Sequence, residues 1–459
     1  TYTVSLAAAK DLGYTIESDG SYTVTSADGL MNVAELVNGG KTDINITLDK
    51  NIDLTGKGWT PIGTSFDNSY KGTFDGGGHT ISDLNLTGSY SPAGLFAVIL
   101  SGGSVEDLNV AGSVAAAGDK IVAGGIAGEN YGRIVCCSFT GMVQGSAQIG
   151  GIAGVNRVSG QIISSTFDGK VQATNATGGI AGLNEGIIRH CTNTGSINTN
   201  NVDASLSLSD IQIDTTLDLA NLTTSQTFLT TTATGGIAGR NTGLIAVCEN
   251  TGTVGYEHVG YNIGGIAGST SGYLRSNTNE GTILGRKDVG GIAGQISKGS
   301  DGKGNYIVNC YSWIERVASN NNNIGGIVGI VSDDSFVVNC YSTLADVSQN
   351  DSFASSVGYN KKGNVQNVYG NEACPSGKKN PDWIVGNDSK QDGSVWAESL
   401  GLLLSLDEMK SGAVTVPSSG QECASFTEAL NAGAEIYAST PAETLPAKPT
   451  TAVRKWVDS

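Results

Sequence analysis

The side chains that could carry acid–base or metal chemistry are few and scattered along this chain. It has three histidines, His79, His190 and His258, and lacks the H-E-x-x-H pattern that binds zinc. The one Asp-Asp pair, Asp333-Asp334, is predicted to be a solvated turn. Glycoside hydrolysis needs two carboxylates that face each other across the substrate, and no motif here places such a pair. No catalytic, metal-binding or cofactor-binding residue is therefore predicted.

The elements that must position every side chain belong to an internal repeat. The pentapeptide Gly-Gly-Ile-Ala-Gly occurs seven times, with Val in place of Ala in the last copy. The copies begin at residues 124, 150, 178, 235, 264, 290 and 325, which are 26, 28, 57, 29, 26 and 35 residues apart. Such spacings are typical of stacked arrays, in which each unit buries its apolar face against its neighbours.

Each repeat has the pattern of one coil with about three short strands. Apolar and polar residues alternate over short runs that end at Gly or Asn, and no helical stretch separates them. Leucine-rich and helical solenoids are thereby excluded. The pattern predicts an all-β fold, a right-handed parallel β-helix (β-solenoid) of roughly ten coils with short helical caps. Its hand follows from the bias of parallel crossovers, and its coils are expected about 4.8 Å apart.

Aligning the repeats places similar residues in columns. The asparagines that follow the pentapeptide are predicted to occupy left-handed bends and to hydrogen-bond from coil to coil; they are Asn130, Asn156, Asn184 and Asn241. The glycines are predicted either to adopt positive φ at corners or to allow close packing of coils. The isoleucines are predicted to form one buried row: Ile126, Ile152, Ile180, Ile237, Ile266, Ile292 and Ile327.

The cysteines follow the same repeat. The eight lie at residues 136, 137, 191, 248, 310, 340, 374 and 423, and none forms a C-x-x-C pair. Five share one column, which Ser165 and Asn277 interrupt: Cys137, Cys191, Cys248, Cys310 and Cys340. An interrupted column does not suit a metal site. We predict buried, reduced side chains, because free Cys is among the most buried residue types; disulfides between stacked coils are the alternative.

Composition restricts the partners. The chain has 459 residues, of which 66 are glycine and 15% are charged, and its net charge is −17. A strongly acidic protein repels a phosphate backbone, so nucleic acid is not expected as a partner. No apolar run is long enough to span a bilayer, which takes about 18 residues. No export signal is found at Thr1, and we expect that one has been removed.

The ends and one interruption depart from the repeat. Residues 1–42 are predicted to form an N-terminal strand and a capping helix that begins after Ser26, and residues 43–370 to form the β-helix. Residues 371–459 are predicted to form a C-terminal cap and tail, with capping boxes at Ser405/Glu408 and Ser425/Glu428. The stretch 199–233, inside the double-length gap, is predicted to project from the shaft and to contribute to partner recognition. One degenerate coil is the alternative.

The repeats resemble the GLUG motif, which recurs in surface proteins of gut and oral bacteria and in some secreted IgA-specific metallopeptidases. The resemblance covers roughly residues 90–370, and the stretch Gly72-Thr-Phe-Asp-Gly-Gly-Gly-His79 is similar to the start of such proteins. It implies an exported protein, extracellular or attached to the bacterial cell surface, that is adhesin-like and has no catalytic residue in the motif. Protease activity is not implied, because the zinc motif is missing.

Three functions stay open. The favoured one is a non-catalytic, monomeric, adhesin-like shaft that binds a host or extracellular-matrix glycan or protein. A purely structural stalk is the second. A carbohydrate-active β-helix enzyme is the third, but polygalacturonase-like enzymes carry N-x-D, D-D, G-H-G and R-I-K in order, and neither G-H-G nor R-I-K is present here. Five aromatic residues could stack on sugar rings, although packing at coil edges is the favoured interpretation: Trp59, Tyr131, Tyr256, Tyr261 and Trp313.

Overall fold

The computed structural model describes residues 12–64, 66–118, 120–199, 232–256, 259–299, 305–314, 316–319, 323–332, 334–347, 353–361, 363–374, 385–388 and 401–439. These residues form a parallel β-solenoid of about ten coils, as the repeat predicts. Most of the predicted excursion at 199–233 lies outside the described residues, because only 199, 232 and 233 are described. His258, Asp333 and the tail after Ser439 also lie outside them.

Each coil contributes strands to three faces. Among the described residues, the first face has eight strands: β10 (Val122–Gly124), β14 (Gln148–Gly150), β18 (Asn175–Gly178), β23 (Thr232–Gly235), β28 (Tyr261–Gly264), β33 (Lys287–Gly290), β38 (Ile324–Gly325) and β42 (Phe353–Ala354). The second has ten: β7 (Phe96–Ile99), β11 (Ala127–Asn130), β15 (Ala153–Asn156), β19 (Ala181–Asn184), β24 (Ala238–Asn241), β29 (Ala267–Thr270), β34 (Ala293–Ile296), β39 (Val328–Val331), β43 (Val357–Asn360) and β45 (Val385–Asp388).

The third face is the longest, and a turn divides most of its coils into two or three strands. In the described part of the chain it comprises β1 (Tyr14–Ile16), β2 (Tyr22–Val24), β3 (Ile46–Leu48), β4 (Ile52–Asp53), β5 (Thr73–Asp75), β6 (Thr80–Gly88), β8 (Ser104–Glu106), β9 (Asn109–Ala116), β12 (Arg133–Val135), β13 (Ser138–Gln144), β16 (Gln161–Ile163), β17 (Thr166–Gln172), β20 (Ile187–Arg189), β21 (Thr192–Asn193), β22 (Ser196–Ile197), β25 (Leu244–Ala246), β26 (Glu249–Asn250), β27 (Thr253–Val254), β30 (Tyr273–Arg275), β31 (Thr278–Asn279), β32 (Ile283–Leu284), β35 (Asn305–Val308), β36 (Tyr311–Ser312), β37 (Arg316–Ala318), β40 (Ser335–Ser342), β41 (Asp346–Val347), β44 (Asn364–Asn371) and β46 (Gly401–Leu404). Pairing within all three faces is parallel except between β1 and β2. A separate antiparallel hairpin is formed by β47 (Val414–Val416) and β48 (Gln421–Cys423).

The pentapeptide forms the corner between the first and second faces. A Cβ added to Gly150 would lie 2.0 Å from the carbonyl oxygen of Ala153, and one added to Gly182 would lie 2.4 Å from the backbone nitrogen of Ile149. None of the motif glycines has positive φ. Close packing, and not the positive-φ alternative, therefore explains the conserved spacing of glycine within this sequence.

The interior of the corner is apolar, as predicted. The first six backbone N–H groups of the isoleucine row each donate to the carbonyl of the isoleucine in the next coil, as from Ile126 to Ile152 at 3.0 Å, whereas Ile327 donates to Ser356 at 2.8 Å. The second glycine of the motif leaves room for a large side chain of the facing strand, since a Cβ on Gly125 would lie 2.3 Å from the ring of Phe139. All seven predicted isoleucines are fully buried: Ile126, Ile152, Ile180, Ile237, Ile266, Ile292 and Ile327.

The asparagine column is a buried amide ladder, but its predicted conformation is wrong. The Nδ2 of Asn130 donates to Oδ1 of Asn156 at 2.8 Å, and Asn156 donates in the same way to Asn184 at 2.8 Å. Asn184 continues to Asn241 at 2.7 Å, where Thr270 ends the ladder at 3.0 Å. These asparagines end extended strands and none has positive φ. The amide ladder alone, without a left-handed bend, explains the choice of Asn.

A different column adopts the left-handed turn. It lies one residue before the cysteine column, where the chain turns within the third face. Its φ values run from +48° to +55° although its residue types differ widely: Asp107, Cys136, Ser164, His190, Val247, Ser276, Asn309, Asn339 and Asn367. A single left-handed residue costs about 1–2 kcal/mol for most side chains, so stacking of the coils must enforce this turn.

The cysteine column has a role beyond filling space. Its side chains accept a hydrogen bond from the backbone N–H of the preceding coil, as Sγ of Cys248 does from Cys191 at 3.4 Å. Ser165 and Asn277 do the same, accepting from Cys137 at 3.3 Å and from Cys248 at 2.9 Å. Ser165 and Asn277, which interrupt the column of cysteines, thus keep a hydrogen-bond acceptor at that position. All eight cysteines are free, and all but Cys136 are buried.

Helices flank both ends of the described solenoid. Helix α1 (Ala27–Asn38) begins at Ser26, whose hydroxyl accepts from the N–H of Gly29, and stops at Gly39 as predicted. Near the other end, α2 (Leu406–Ser411) starts with the predicted Ser405/Glu408 capping box.

The last helix, α3 (Phe426–Ser439), packs against the outside of the third face. Asn339 of the left-handed column donates to the carbonyl of Leu430 at 2.9 Å. The helix therefore lies along the shaft and fixes its position through a buried polar contact.

Gly182→Ala should destabilise the fold by about 1–3 kcal/mol, the usual cost of forcing atoms into a packed site. Every near neighbour of the added Cβ is a backbone atom and cannot move aside. Gly58→Ala is the matched control, because nothing lies within 4 Å of that Cβ. Urea unfolding of both variants tests the corner, and equal midpoints for the two would contradict it.

Cys248→Ala should be more destabilising than Cys248→Ser. Alanine leaves the buried N–H of Cys191 without its acceptor, which costs about 1–3 kcal/mol. Serine keeps an acceptor, as Ser165 does in its own coil. Thermal unfolding compares the two variants, and a serine variant as unstable as the alanine variant would show that volume, not hydrogen bonding, decides this position.

Thiol labelling should detect one accessible cysteine in the native protein. Cys136 is exposed and the other seven are buried, and burial raises the pKa of Cys137 to about 12, so that its reactive thiolate is scarce at pH 8. Denatured protein should react at all eight thiols, and native Cys136→Ser at none. Equal labelling of native and denatured chains would disprove burial, and fewer thiols in the denatured, unreduced chain would reveal disulfides.

Candidate functional site

The structure does not bring the candidate acid–base residues together. His79 is half-buried between β5 and β6, whereas His190 is exposed in the left-handed column. Asp334 lies on the surface and pairs with Nζ of Lys298 at 2.8 Å. Among the residues described, no three His, Cys, Asp or Glu side chains gather closely enough to hold a metal ion.

The five aromatic residues named from the sequence have different environments. Trp59 is buried, and its indole N–H donates to the carbonyl of Leu95 at 3.1 Å, so packing explains it. Tyr261 is half-buried in β28, and Tyr256 is exposed at a turn. Trp313 is 50% exposed. Tyr131 alone is joined by a second exposed ring and by charged side chains.

That assembly, here called the corner patch, lies where the second face turns into the third. It consists of Phe66, Glu129, Tyr131, Arg157, Val158 and Glu185. The buried asparagine ladder, which lies inside the solenoid next to the corner patch, positions the patch residues. The backbone N–H of Arg157 donates to the carbonyl of Asn130 at 2.8 Å, and that of Glu185 donates to Asn156 at 2.7 Å. Successive coils therefore present successive patch residues, about 4.8 Å apart.

Arg157 is the centre of the patch. Its Nε lies 2.9 Å from Oε2 of Glu129, and its Nη1 lies 3.5 Å from Oε2 of Glu185. Its guanidinium carbon is 5.8 Å from the ring centroid of Tyr131, a cation–π distance. The hydrogen bond to Glu129 is the main reason that the pKa of Arg157 is raised further above its ordinary value.

The apolar part of the patch is open to solvent. Phe66 is 66% exposed and Val158 is 79% exposed. The rings of Phe66 and Tyr131 meet edge to face at 6.5 Å and 80°. The Tyr131 hydroxyl donates to Glu129 at 3.2 Å, and partial burial followed by the charge of Glu129 raises its pKa. Tyr131 thus stays a neutral hydroxyl at physiological pH.

The arrangement is suited to binding rather than to acid–base chemistry. The guanidinium lies between the carboxylates of Glu129 and Glu185, so each is paired with a cation instead of facing a substrate alone. Exposed rings beside fixed hydrogen-bonding groups are the usual constituents of a recognition surface, since Tyr and Arg dominate binding energy where they cluster. No described residue of the patch is placed to act as a nucleophile.

Sequence reasoning found only Tyr131 of this patch. Phe66 was missed because it lies in a loop before the repeats begin, where no alignment predicts its neighbours. Arg157 and Glu185 occupy the position just after each ladder asparagine, as Tyr131 does. Variation at that position, from Tyr to Arg to Glu in consecutive coils, is the signal that could have revealed an outward-facing cluster.

Comparisons with known proteins agree with the repeat. The GLUG motif family matches residues 173–198, which contain the strands β18 to β22 of one coil. Halomucin of Haloquadratum walsbyi is 31% identical over 105 residues, a region that is 23% of this chain and 1% of halomucin. The chain thus spans a very small part of that relative.

One solved structure is also similar, that of a "putative immunoglobulin A1 protease" from Bacteroides ovatus. It is 22% identical, the alignment covers 77% of this chain and 84% of that chain, and the TM-score is 0.40.

The family match falls inside a coil whose corner, ladders and turn recur along the described solenoid. Residues 173–198 therefore match the GLUG motif, within a chain that is built as a parallel β-solenoid.

Proposed function

We propose that this chain is a non-catalytic, adhesin-like protein of the cell surface or extracellular space, and that it binds a glycan through the corner patch. The GLUG motif and the partial similarity to halomucin support the compartment. Within the described part of the chain, no helix has the length and apolarity to cross a bilayer.

The observation that carries the proposal is the exposed ring of Phe66 beside Tyr131 on a rigid corner. An apolar ring face in water is available to stack against the C–H face of a pyranose. Tyr131 lies on a coil whose Asn130 carbonyl accepts the backbone N–H of Arg157 from the next coil. Phe66 meets the Tyr131 ring from a loop two coils away. A preformed surface loses little conformational entropy on binding, which favours useful affinity from a small contact.

The charges favour a neutral sugar over an acidic one. Two carboxylates, Glu129 and Glu185, surround the single guanidinium of Arg157, which gives this cluster a net charge of −1. Arg157 is thus already paired and offers little to a sialic acid or a sulfated sugar. The carboxylate oxygens can instead accept hydrogen bonds from sugar hydroxyls. The net charge of −17 on the whole chain also disfavours an acidic sugar.

A glycan array with neutral and acidic oligosaccharides tests the proposal. Binding to neutral glycans should weaken about five- to a hundredfold in Phe66→Ala/Tyr131→Ala, because each stacked ring contributes about 0.5–1.5 kcal/mol and tenfold corresponds to about 1.4 kcal/mol. Trp313→Ala is the control, since it removes an exposed ring elsewhere on the shaft.

Three results would contradict the proposal. Unchanged binding in the double variant would place recognition elsewhere, with the 199–233 segment as the next region to delete. Absence of binding to every glycan and matrix protein tried would favour a structural stalk. Shortened oligosaccharides after incubation, detected by mass spectrometry, would identify a carbohydrate-active enzyme.

A further inference from the structure

We propose that residues 440–459 cover two neighbouring rows of apolar side chains on the outside of the third face, in continuation of helix α3. These rows, here called the outer stripe, consist of Val135 and Ile163 in one row and of Ile187, Leu244 and Tyr273 in the other. The outer stripe is a docking surface for a segment of the chain itself and is independent of the corner patch.

The outer stripe follows from the register of the strands. Ile187 pairs with Leu244, which pairs with Tyr273, and Val135 pairs with Ile163 in the neighbouring row. The residues between these rows point inward and are fully buried, as Ile188 and Ile245 are. All members of the stripe therefore face outward, and each is partly exposed. Outward positions of a solvated sheet are ordinarily polar, so a run of aliphatic residues there indicates a cover.

Helix α3 already covers the continuation of the row that contains Tyr273. Tyr306 stacks on Tyr273 at 5.7 Å and on Phe336 at 4.7 Å. Tyr437 of the helix contacts Tyr306 edge to face at 6.1 Å, whereas Phe426, at the other end, contacts Tyr341 at 5.3 Å. The helix thus runs from the C-terminal coils toward the N-terminal ones. It ends at Ser439, beside the coil where the outer stripe begins.

The following segment has the length and composition to continue this path. The stripe extends from β30 to β12, four inter-coil steps or about 19 Å. An extended chain covers about 3.3 Å per residue, so about six residues suffice, and 440–459 is longer than that. The segment carries apolar side chains at Leu445, Val453, Trp456 and Val457.

Charge complements the apolar match. Arg189 continues the row of Val135 and Ile163, because it pairs with Ile163 on the neighbouring coil, and its Nε is buried without a hydrogen-bond partner among the described residues. A buried guanidinium N–H calls for an acceptor, and carboxylate is the best one. The segment offers Glu443 near its start and Asp458 near its end.

Thiol kinetics test the proposal with the whole chain. In a Cys136→Ser background, which removes the exposed native thiol, Leu244→Cys places a single thiol in the stripe. It should react with a maleimide about tenfold more slowly in the full chain than in a chain that ends at Ser439. Met142→Cys is the control, because Met142 is an exposed outward residue of β13 and should react equally in both chains.

A second variant keeps the full length. Trp456→Ser/Val457→Ser removes two apolar contacts without shortening the chain and should speed labelling of the Leu244→Cys thiol as well. Equal labelling rates in the full and shortened chains would overturn the proposal. Protection that grows with protein concentration would also overturn it, because a second copy would then be the cover.

Discussion

At one corner of the seven coils that carry the pentapeptide, neighbouring backbones approach so closely that no side chain fits between them. The Cβ of any residue other than glycine would fall well inside the contact distance of the next coil's backbone, as at Gly150 and Gly182. This steric limit fixes where each coil turns and hence the axial register of all three faces. Once the corner is set, the isoleucine beside it must point inward, and the asparagine at the end of the next strand must meet its equivalents above and below. The spacing of the remaining ladders follows from that one contact.

Because equivalent residues stack from coil to coil, their apolar side chains bury one another, but their buried polar groups must also find hydrogen-bond partners. Every coil repeats the same backbone groups at the same depth, so an unpaired N–H would recur in every coil. The chain solves this with side chains that bond along the axis: amides from Asn130 to Asn241, and thiol, hydroxyl or amide acceptors in the cysteine column. These bonds join residues far apart in sequence but adjacent in space, so stability is distributed between nearest neighbours along the shaft.

Features marked by a repeated residue type or by a local capping signal could be predicted from the sequence, whereas features without such a mark could not. The parallel solenoid, the buried isoleucines and the helix after Ser26 could be predicted because glycine spacing and capping chemistry are local signals. The left-handed turn could not, because its column contains Asp, Cys, Ser, His and Val, and no propensity identifies it. The corner patch was mostly missed for a related reason: Phe66 precedes the repeats, and its contact with Tyr131 depends on how a loop folds over the first coils. Outward-facing residues that differ from coil to coil produce no periodic pattern in the sequence, so alignment of the repeats does not reveal them.

The left-handed column also bears on how such a protein can be changed. Five unlike residues, from Asp107 to Val247, share nearly the same backbone angles, so the stack imposes the turn whatever side chain occupies it. In the coils that α3 does not cover, most of these side chains project into solvent. Mutation can therefore replace them without moving the scaffold, and function can diversify there at little cost to folding. The same property makes the column an engineering site. Histidines introduced at this position in consecutive coils would lie about 4.8 Å apart along a straight line. Such a regular array could bind a row of metal ions or a mineral surface.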